Sequence, residues 1–239
     1  MSDKITEFKK LVEKSRRIVF FGGAGVSTES GIPDFRSKDG LYNQKYDYPP
    51  EEILSHGFFV NRTAEFYKFY RDKLNSLKYE PNVTHYKLAQ LEEQGKLSAV
   101  VTQNIDGLHQ KAGSKKVYEL HGSVLRNYCM KCGKFHDAMK VFGSEGIPYC
   151  ECGGVIKPDV VLYNEPLDEK VVRGAIKAIS NADLLIIGGT SLTVYPASSY
   201  ISYFGGGKIV LINKSSTPYD NTADLVINQG LGEVFSNLD

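Results

Sequence analysis

Two neighbouring segments near the start of the chain contain residue types that can bind a phosphorylated ligand. Gly22 to Gly25 follow a short apolar run, and Ser27 and Thr28 add hydroxyl groups directly afterwards. Glycines in this position let backbone N–H groups approach a pyrophosphate at a helix N-terminus. A tight turn between a strand and a helix explains the glycines equally well. The segment from Asp34 to Arg36 favours ligand binding, because it adds an acid, a shielding aromatic ring and a guanidinium that binds phosphate bidentately.

Polar residues after later apolar runs carry the candidate catalytic chemistry. Gln103, Asn104 and Asp106 follow the run at 99–102, and their amide and carboxylate groups suit a carboxamide and a ribose. In a doubly wound sheet, ligands bind outside the carboxyl ends of the strands. His121 is the best general base available, because an unperturbed imidazole titrates near pH ~6.5. We expect surface or hydrogen-bonded core positions for the remaining histidines, which are His56, His85, His109 and His136.

The four cysteines form two close pairs. Cys129 and Cys132 have C-x-x-C spacing, whereas Cys150 and Cys152 have C-x-C spacing. Four thiolates suit a tetrahedral zinc ion with no open position for catalysis, so we predict one structural zinc. His136 is a substitute ligand if Cys150 or Cys152 does not reach the metal. The alternatives are two disulfides, four buried thiols, or a zinc-ribbon module for nucleic acid, which explains none of the motifs outside 129–152.

The elements that position these residues alternate between strands and helices. Apolar runs predict buried strands at 17–21, 99–102, 184–188, 208–212 and 225–227. Helical spacing of apolar residues predicts helices at 5–15, 64–77, 84–94 and 168–180. Gly95 is the expected C-cap of the third helix, and Asp168 is the expected N-cap of the fourth. This alternation predicts an α/β protein with a doubly wound, parallel, Rossmann-like sheet.

Two stretches interrupt the alternation and divide the chain into lobes. Residues 38–80 are rich in Tyr and Phe and have helical character, and residues 127–156 hold all the cysteines. We interpret residues 1–239 as one domain in which these two inserts form a smaller lobe. The large, Rossmann-like lobe then comprises approximately residues 1–37, 81–126 and 157–239.

The overall composition excludes several classes of protein. Of the 239 residues, 41% are hydrophobic and 24% are charged, and the net charge is +1. Such a chain can build a sizeable core and is not disordered. Its near-neutral charge disfavours duplex nucleic acid and anionic membranes as partners. No apolar stretch reaches the roughly 18–20 residues of a membrane span, and the first residues lack a signal peptide's apolar region, so we expect a cytoplasmic protein.

Together and in this order, the motifs resemble those of the sirtuin family in its compact, bacterial form. The matching segments cover nearly the whole chain and are 23–36, 102–109, 121–122, the paired cysteines, 157–163, 189–196 and 212–213. Sirtuins are NAD-dependent protein deacylases. The resemblance implies removal of acetyl groups from Nε-acetyl-lysine in proteins or peptides, which yields nicotinamide, deacetylated lysine and O-acetyl-ADP-ribose. It also implies NAD as co-substrate, one structural zinc ion, and nicotinamide as an inhibitor.

The resemblance also implies a role for individual residues. It makes His121 the general base and Asn104 a second catalytic residue. NAD binding falls to Gly23, Ala24, Gly25, Thr28, Asp34, Phe35, Arg36, Gln103, Asn104, Ile105, Asp106, His121, Gly189, Thr190, Ser191, Asn213 and Leu231. Substrate binding falls to Phe35, Val161, Leu162 and Tyr163, of which the last three pair with the peptide as an added strand. The zinc ligands are Cys129, Cys132, Cys150 and Cys152.

Three departures from the family pattern bear on specificity. Asn164 stands where the family usually has Gly, and the second cysteine pair is narrower than usual. Tyr67 matches a Tyr of the desuccinylase subgroup, but Tyr70 stands where that subgroup has Arg. A succinyl carboxylate would then be buried without a cationic partner, so we expect deacetylation ahead of desuccinylation. If the two tyrosines are only core aromatics, they have no bearing on the acyl group.

Rival functions remain at this stage. A protein ADP-ribosyltransferase, or a deacylase that prefers a longer or acidic acyl group, would use the same cofactor. An NAD(P) oxidoreductase would interconvert NAD and NADH, which a sirtuin does not do. A non-enzymatic NAD- or zinc-dependent binding module would not need the combination of Asn104, Asp106 and His121.

Overall fold

Nine strands and nine helices, joined by loops and 3-10 turns, make up residues 3–34 and 46–238, the part of the chain that the computed structural model describes. In chain order they are α1 (Asp3–Lys14), β1 (Ile18–Gly22), α2 (Pro50–Ile53), α3 (His56–Asn61), α4 (Thr63–Lys73), α5 (Val83–Glu93), β2 (Leu97–Thr102), α6 (Leu108–Lys111), β3 (Val117–Glu119), β4 (Gly122–Cys129), β5 (Phe135–Asp137), α7 (Ala138–Phe142), β6 (Ile156–Val160), α8 (Glu169–Ser180), β7 (Leu184–Gly188), β8 (Lys208–Ile212), β9 (Leu225–Ile227) and α9 (Leu231–Phe235). None of these helices is long and apolar enough to cross a membrane.

The predicted elements agree closely with the structure. Strands β7, β8 and β9 have the predicted bounds, and β1 begins one residue later than predicted. The Asp168 carboxylate accepts hydrogen bonds from the backbone N–H groups of Lys170 and Val171, which confirms it as the N-cap of α8. Gly95 has a left-handed φ of +73° one residue beyond the C-cap of α5. The predicted helix at 64–77 is shorter, because α4 ends at Lys73.

The large sheet has six parallel strands in the order β3-β2-β1-β7-β8-β9. From β1 the chain builds outward in one direction with β2 and β3, and in the other with β7, β8 and β9. The order therefore reverses between β1 and β7. Open parallel sheets form their ligand clefts at such a reversal, at the carboxyl ends of the strands. The predicted doubly wound sheet is confirmed.

The sheet is buried on both faces, which explains its continuous apolar strands. In β1, Ile18 and Phe20 pack with α1, α5 and α9, whereas Val19 and Phe21 pack on the opposite face with α8. Successive side chains of a strand point to opposite faces, so both sets are withdrawn from water. Each fully buried side chain of this size contributes about 1.5–3 kcal/mol to stability.

A second, antiparallel sheet of three strands has the order β5-β4-β6 and packs against the helices of the 46–74 region. Strand β4 runs from Gly122 to Cys129, so one strand connects the neighbour of His121 to the first cysteine pair. The predicted lobe boundaries after residues 126 and 156 fall inside β4 and β6. These boundaries stay a prediction.

The aromatic residues of α4 form the core of this small lobe. Tyr67 and Tyr70 are fully buried with Phe66, and the Tyr70 ring stacks on Phe142 at 5.3 Å. The Tyr67 hydroxyl donates to the carbonyl of Ile156. Neither tyrosine lines the cleft described below. The acyl preference that we expected from this pair therefore has no basis in the structure.

Candidate active site

A cleft of about 780 Å³ opens at the carboxyl ends of β1, β2, β7 and β8 and extends to the end of β6. It brings together residues that lie as far apart in the chain as Ala24 and Leu231. The predicted site residues that line it are Ala24, Gly25, Thr28, Asp34, Gln103, Asn104, Ile105, Asp106, His121, Val161, Leu162, Tyr163, Gly189, Thr190, Ser191, Asn213 and Leu231. Phe35 and Arg36 lie outside the described residues, so their assignment stays a prediction.

The glycine-rich loop follows β1 as two short 3-10 turns, Ala24–Val26 and Thr28–Ser30, and not as an α-helix. The expected helix N-terminus is therefore wrong in this detail. The Gly25 N–H donates to the Gly189 carbonyl at 2.8 Å, so the loops after β1 and β7 touch. A Cβ at Gly25 would lie 2.8 Å from that same oxygen. Glycine is required here because two backbones meet.

Gly23 is the described residue whose predicted role the cleft does not support. It is absent from the lining, and a Cβ there would lie 2.8 Å from the Thr190 Cβ and 3.0 Å from the Gln103 Oε1. The absence of a side chain at Gly23 thus lets the loops after β1, β2 and β7 pack closely behind the cleft. Its assignment to NAD binding stays a prediction.

A chain of hydrogen bonds orders the floor of the cleft. The Asn104 Nδ2 donates to the Ser27 Oγ at 3.1 Å, and the Ser27 hydroxyl donates to the Asp106 Oδ2 at 2.7 Å. The other oxygen of Asp106 accepts from the backbone N–H of Leu108 at 2.9 Å. The amide N–H can only donate and the carboxylate accepts, so the direction of each hydrogen bond in the chain is set. The amide of Asn104 is therefore oriented without a ligand. From its place in the sequence, Ser27 was predicted only as a hydroxyl donor, and nothing nearby in the chain indicates this bridging position.

Burial controls the protonation of Asp106. Its removal from water raises the pKa of the carboxyl above its usual range. The hydrogen bonds from Leu108 and Ser27 counteract part of this effect, and the negative charge of Glu119 adds to it. A carboxyl with a raised pKa in a cleft is typical of a functional site.

The candidate base, His121, is held in one orientation by the strand-end segment beside it. Its Nδ1 lies 3.0 Å from the carbonyl oxygen of Gln103. A carbonyl only accepts hydrogen bonds, so Nδ1 carries the proton in the neutral ring and Nε2 holds the lone pair. The arrangement gives His121 the tautomer that a general base needs at Nε2.

Arg126, which was not among the site residues predicted from the sequence, connects the strands around His121. The Arg126 Nη1 lies 2.6 Å from the Glu119 carboxylate, and its Nε lies 2.8 Å from the Asp159 carboxylate. Glu119 ends β3 two residues before His121, and Asp159 belongs to β6. Arg126 therefore joins the edge of the large sheet to the small sheet directly behind the candidate base. Such a contact between distant residues leaves no local sequence signal.

The predicted peptide-binding segment is partly occupied by contacts within the protein. The Val161 N–H donates to the His121 carbonyl, and Tyr163 exchanges backbone hydrogen bonds with Leu54 and His56. Leu162 is bonded through both its backbone groups to Glu165. In this arrangement the backbone groups of Leu162 and Tyr163 are bonded within the protein, and their pairing with a peptide stays a prediction. Their position along the cleft is as predicted.

Asn164 explains one departure from the family pattern. Its φ is +70°, in the left-handed region that favours glycine. Asn is among the few other residues that adopt this region readily. The Gly-to-Asn difference is therefore compatible with the same turn at the edge of the cleft.

The Glu165 carboxylate stabilises this turn through contacts with three neighbouring groups. Its carboxylate lies 2.8 Å from the His56 Nδ1, 3.0 Å from the Lys157 Nζ and 2.9 Å from the Leu162 backbone N–H. Burial acts to raise the pKa of Glu165, but these hydrogen bonds outweigh it and hold the pKa below its usual range. Glu165 is therefore ionised and binds the turn to α3 and β6.

The remaining histidines only partly match expectation. His56 lies at the surface, and His85, His109 and His136 are buried. His109 has no hydrogen-bond partner for either ring nitrogen among the described residues, so the expected hydrogen-bonded position is wrong for it. Its ring lies 4.7 Å from that of His85, whose Nδ1 accepts from the backbone N–H of Asn82 at 3.2 Å. Apolar packing, not hydrogen bonding, holds His109.

The cleft has the features expected for NAD. The Gln103 Nε2 is buried there with no hydrogen-bond partner among the described residues, so it has a donor to offer a ligand. The Gln103 Oε1 is already fixed by the Thr190 hydroxyl at 3.1 Å. The close contact of Gly25 and Gly189 supplies a backbone surface without side chains. These features suit the amide and phosphate groups of a dinucleotide.

The cysteine cluster fits a tetrahedral metal. All four sulfurs lie within 4.8 Å of one another, with 3.4 Å between Cys129 and Cys152 and 3.7 Å between Cys132 and Cys150. Zinc bonds of about 2.3 Å place tetrahedral sulfurs about 3.8 Å apart, whereas a disulfide bond is about 2.05 Å long. The cysteines are free thiols, and the C-x-C pair reaches the cluster with both sulfurs. The disulfide alternative is wrong.

Comparisons with known proteins agree with this geometry. A family model described as "Sir2 family" matches residues 23–196. An NAD-dependent protein deacetylase of Clostridium acetobutylicum is 61% identical over 240 residues, which cover 99% of this chain and 98% of that protein. A protein of the same name from Clostridium perfringens is 60% identical over 242 residues, which cover 100% of this chain and 99% of that protein.

Proteins of known structure give the same result. A Sir2 protein with a deacetylated p53 peptide and 3′-O-acetyl-ADP-ribose has a TM-score of 0.90 and 41% identity, covering 98% of this chain and 96% of that one. A Sir2 complex with a p53 peptide and NAD⁺ has a TM-score of 0.86 and 42% identity over the same shares of both chains. The match of most of the chain in sequence and in fold establishes that this protein belongs to the Sir2 family.

Proposed function

We propose that this protein removes acetyl groups from Nε-acetyl-lysine side chains of proteins and uses NAD as co-substrate. One observation carries the proposal: a histidine with its Nδ1 bonded to a carbonyl lies in the same cleft as the ordered Asn104 and Asp106 pair. The names of the relatives and the ligands of the structural neighbours support it.

The cleft residues divide the work between holding the co-substrate and moving a proton. Bound NAD supplies a ribose carbon that receives the acetyl oxygen as nicotinamide leaves. Gln103, Asn104 and Asp106 would hold the nicotinamide and its ribose, and the loops that carry Thr190 and Asn213 would hold the adenosine half. His121 would then take a proton from a ribose hydroxyl at Nε2, so that the hydroxyl oxygen can attack the acetyl carbon.

The segment from Val161 to Asn164 lies along the same cleft and would hold the acetyl-lysine peptide. Apolar side chains such as the buried Leu162 keep water from the reacting atoms. Because Tyr163 is bonded to Leu54 and His56, peptide pairing there requires either side-chain contacts or a rearranged backbone.

The four cysteines would hold one zinc ion with a structural role. The ion would tie the 129–132 knuckle to the 150–152 turn and complete the small lobe. We further propose that nicotinamide, which leaves from this cleft, inhibits the reaction when added, and that the protein acts in the cytoplasm.

The decisive experiment incubates the protein with NAD and an acetyl-lysine peptide and follows the products by mass spectrometry. We expect nicotinamide, deacetylated peptide and O-acetyl-ADP-ribose in equal amounts, no NADH, and no nicotinamide with the unacetylated peptide. Nicotinamide release with the acetyl group intact and ADP-ribose on protein would instead identify an ADP-ribosyltransferase. The same peptide with succinyl-lysine tests the acyl group, and a kcat/KM equal to or above that for acetyl-lysine would contradict the proposal.

A further inference from the structure

We propose that His136 is a reserve zinc ligand, which takes the place of Cys150 when that thiolate is not available. The proposal rests on the zinc site proposed above and adds a donor that the four cysteines do not include. A buried imidazole beside the cysteine cluster carries it.

His136 has a polar atom that the described polypeptide leaves unsatisfied. It lies in the middle of β5, opposite Asn127 of β4, and is only 7% exposed. Its Nε2 is buried and has no hydrogen-bond partner among the described residues. An unsatisfied buried group of this kind is destabilising, whereas an apolar side chain at the same position would not have this cost. The imidazole therefore needs a partner other than these residues.

The neighbours of His136 are zinc-binding groups. A ring nitrogen of His136, the Cys150 Sγ and a carboxylate oxygen of Glu151 all lie within 4.8 Å of one another. Cys150 belongs at the same time to the four-cysteine group. Among the cysteines, His136 therefore lies beside Cys150, at the distance from which an imidazole could replace that sulfur as a ligand.

The groups around Cys150 suit the replacement of its thiolate by the His136 imidazole. Zinc accepts three thiolates and one imidazole as readily as four thiolates. A zinc-bound histidine usually donates its second N–H to a carboxylate, and Glu151 provides one beside the ring. Glu151 itself is paired with Lys134 at 3.0 Å, which holds it near the cluster.

The two cysteines of the C-x-C pair should therefore differ. Within the described part of the chain, the groupings of possible ligands place His136 and Glu151 with Cys150, and place Cys152 only with the other cysteines. Loss of Cys150 leaves three thiolates and His136, whereas loss of Cys152 leaves three thiolates and no nearby substitute. A site without spare ligands would respond equally to the two losses.

The test compares zinc retention in the full-length variants Cys150→Ala, Cys152→Ala and Cys150→Ala/His136→Ala, with His136→Ala as the matched control. We expect Cys150→Ala to keep one zinc per chain and to lose it to a chelator about 10–100-fold faster than the unaltered protein. Cys152→Ala and the double variant should be purified with little zinc. His136→Ala should keep its zinc, because all four cysteines remain.

Cobalt substitution reads the ligand set directly. In Cys150→Ala, the thiolate-to-cobalt absorption should fall by about a quarter, as expected for three thiolates in place of four. Equal zinc loss in both single cysteine variants, an unfolded Cys150→Ala protein, or zinc retention in the double variant would each overturn the proposal. Absence of zinc from the folded, unaltered protein would instead contradict the zinc site itself.

Discussion

The cleft and the cysteine cluster are both built at the ends of strands, but different forces hold them. In the cleft, hydrogen bonds of 2.7 and 3.1 Å join Ser27, Asp106 and Asn104, and a backbone carbonyl orients His121. In the cluster, four sulfurs face one another at 3.4 and 3.7 Å across the closest pairs. Thiols interact weakly with one another, and thiolates repel. The polypeptide alone orders the cleft, whereas the cluster has the arrangement expected for a bound metal ion.

The two regions are therefore expected to be sensitive to different changes. With the proposed zinc ion, the small lobe would depend on a ligand that can be removed, whereas the large lobe depends on apolar packing that excludes water even from its histidines. Strand β4 connects the two, since it starts beside His121 and ends at Cys129. A disturbance of the cluster is therefore expected to reach the cleft along this strand.

Zinc removal should have the largest effect. In small zinc proteins, metal binding supplies about 10–16 kcal/mol of apparent folding free energy. We expect chelation, or Cys129→Ala, to expose the amides of β4, β5 and β6 to hydrogen exchange while β1, β2 and β7 stay protected. Equal protection of both sheets from hydrogen exchange after chelation would show that the small lobe depends on the metal no more than the large lobe does.

Replacement of His121 should lower the reaction rate without affecting the stability of either lobe. Loss of one general base costs about 10²–10⁴-fold in rate. His121→Ala should therefore lose turnover by this factor and keep its unfolding temperature and most of its NAD affinity, because the other predicted NAD-binding residues remain. Near-normal turnover of the folded variant would show that another group is the base.

Acid should weaken the large lobe through its buried histidines. Burial lowers the pKa of His85 from 6.5 to about 4, and burial together with the charge of His85 holds the pKa of His109 well below its usual range. The unfolded chain binds protons at these sites below pH 6.5 and the folded chain does not, so the free energy of unfolding falls as the pH drops from 6.5 to 4. His85 alone accounts for about 3 kcal/mol of this loss.

The variant His85→Gln removes the titrating imidazole but keeps the hydrogen bond that this position accepts. Glutamine at this helix position still accepts the hydrogen bond from the Asn82 N–H but does not titrate. Urea unfolding at several pH values should give a shallower decline for the variant than for the unaltered protein. An identical pH dependence would show that the buried histidine is not its source.

Loss of Arg126 should have the smallest effect of the four. Its partner Glu119 has a side chain that is only 7% exposed, but Arg126 itself is 38% exposed, so solvent weakens the pair. We expect Arg126→Met to lower kcat/KM about tenfold, equivalent to about 1.4 kcal/mol, and Arg126→Lys to restore part of it. The matched control is Lys111→Met, which breaks an exposed pair with Glu80 and should change nothing measurable. Equal effects of the two would show that Arg126 has no special role.

Much of the cleft was predictable because its residues follow strands. Parallel strands bring their carboxyl ends to one edge, so polar residues directly after β1, β2, β7 and β8 meet whatever the loop details. Asn104 and Asp106 were identified in this way, whereas Thr190 and Asn213, which line the same cleft, were named only from the resemblance to the sirtuin family. The packing of Gly23 was not predictable, because a glycine that packs against other loops and a glycine that faces a ligand have the same local sequence.

The strand alternation, the parallel sheet, the edge that carries the cleft and the two cysteine pairs could be predicted from the sequence, since each of these follows from periodicity or from short spacing. Which polar atoms are paired became clear from the folded protein alone. The bridge of Ser27 to Asp106, the ion pair of Arg126 with Asp159 and the burial of Tyr67 and Tyr70 depend on residues far away in the chain. The same holds for the nitrogens of His109 and His136 that lack a partner within the described part of the chain. Hydrogen bonds and charges act over a few ångströms in space, and a linear sequence does not record which distant groups folding brings within that range.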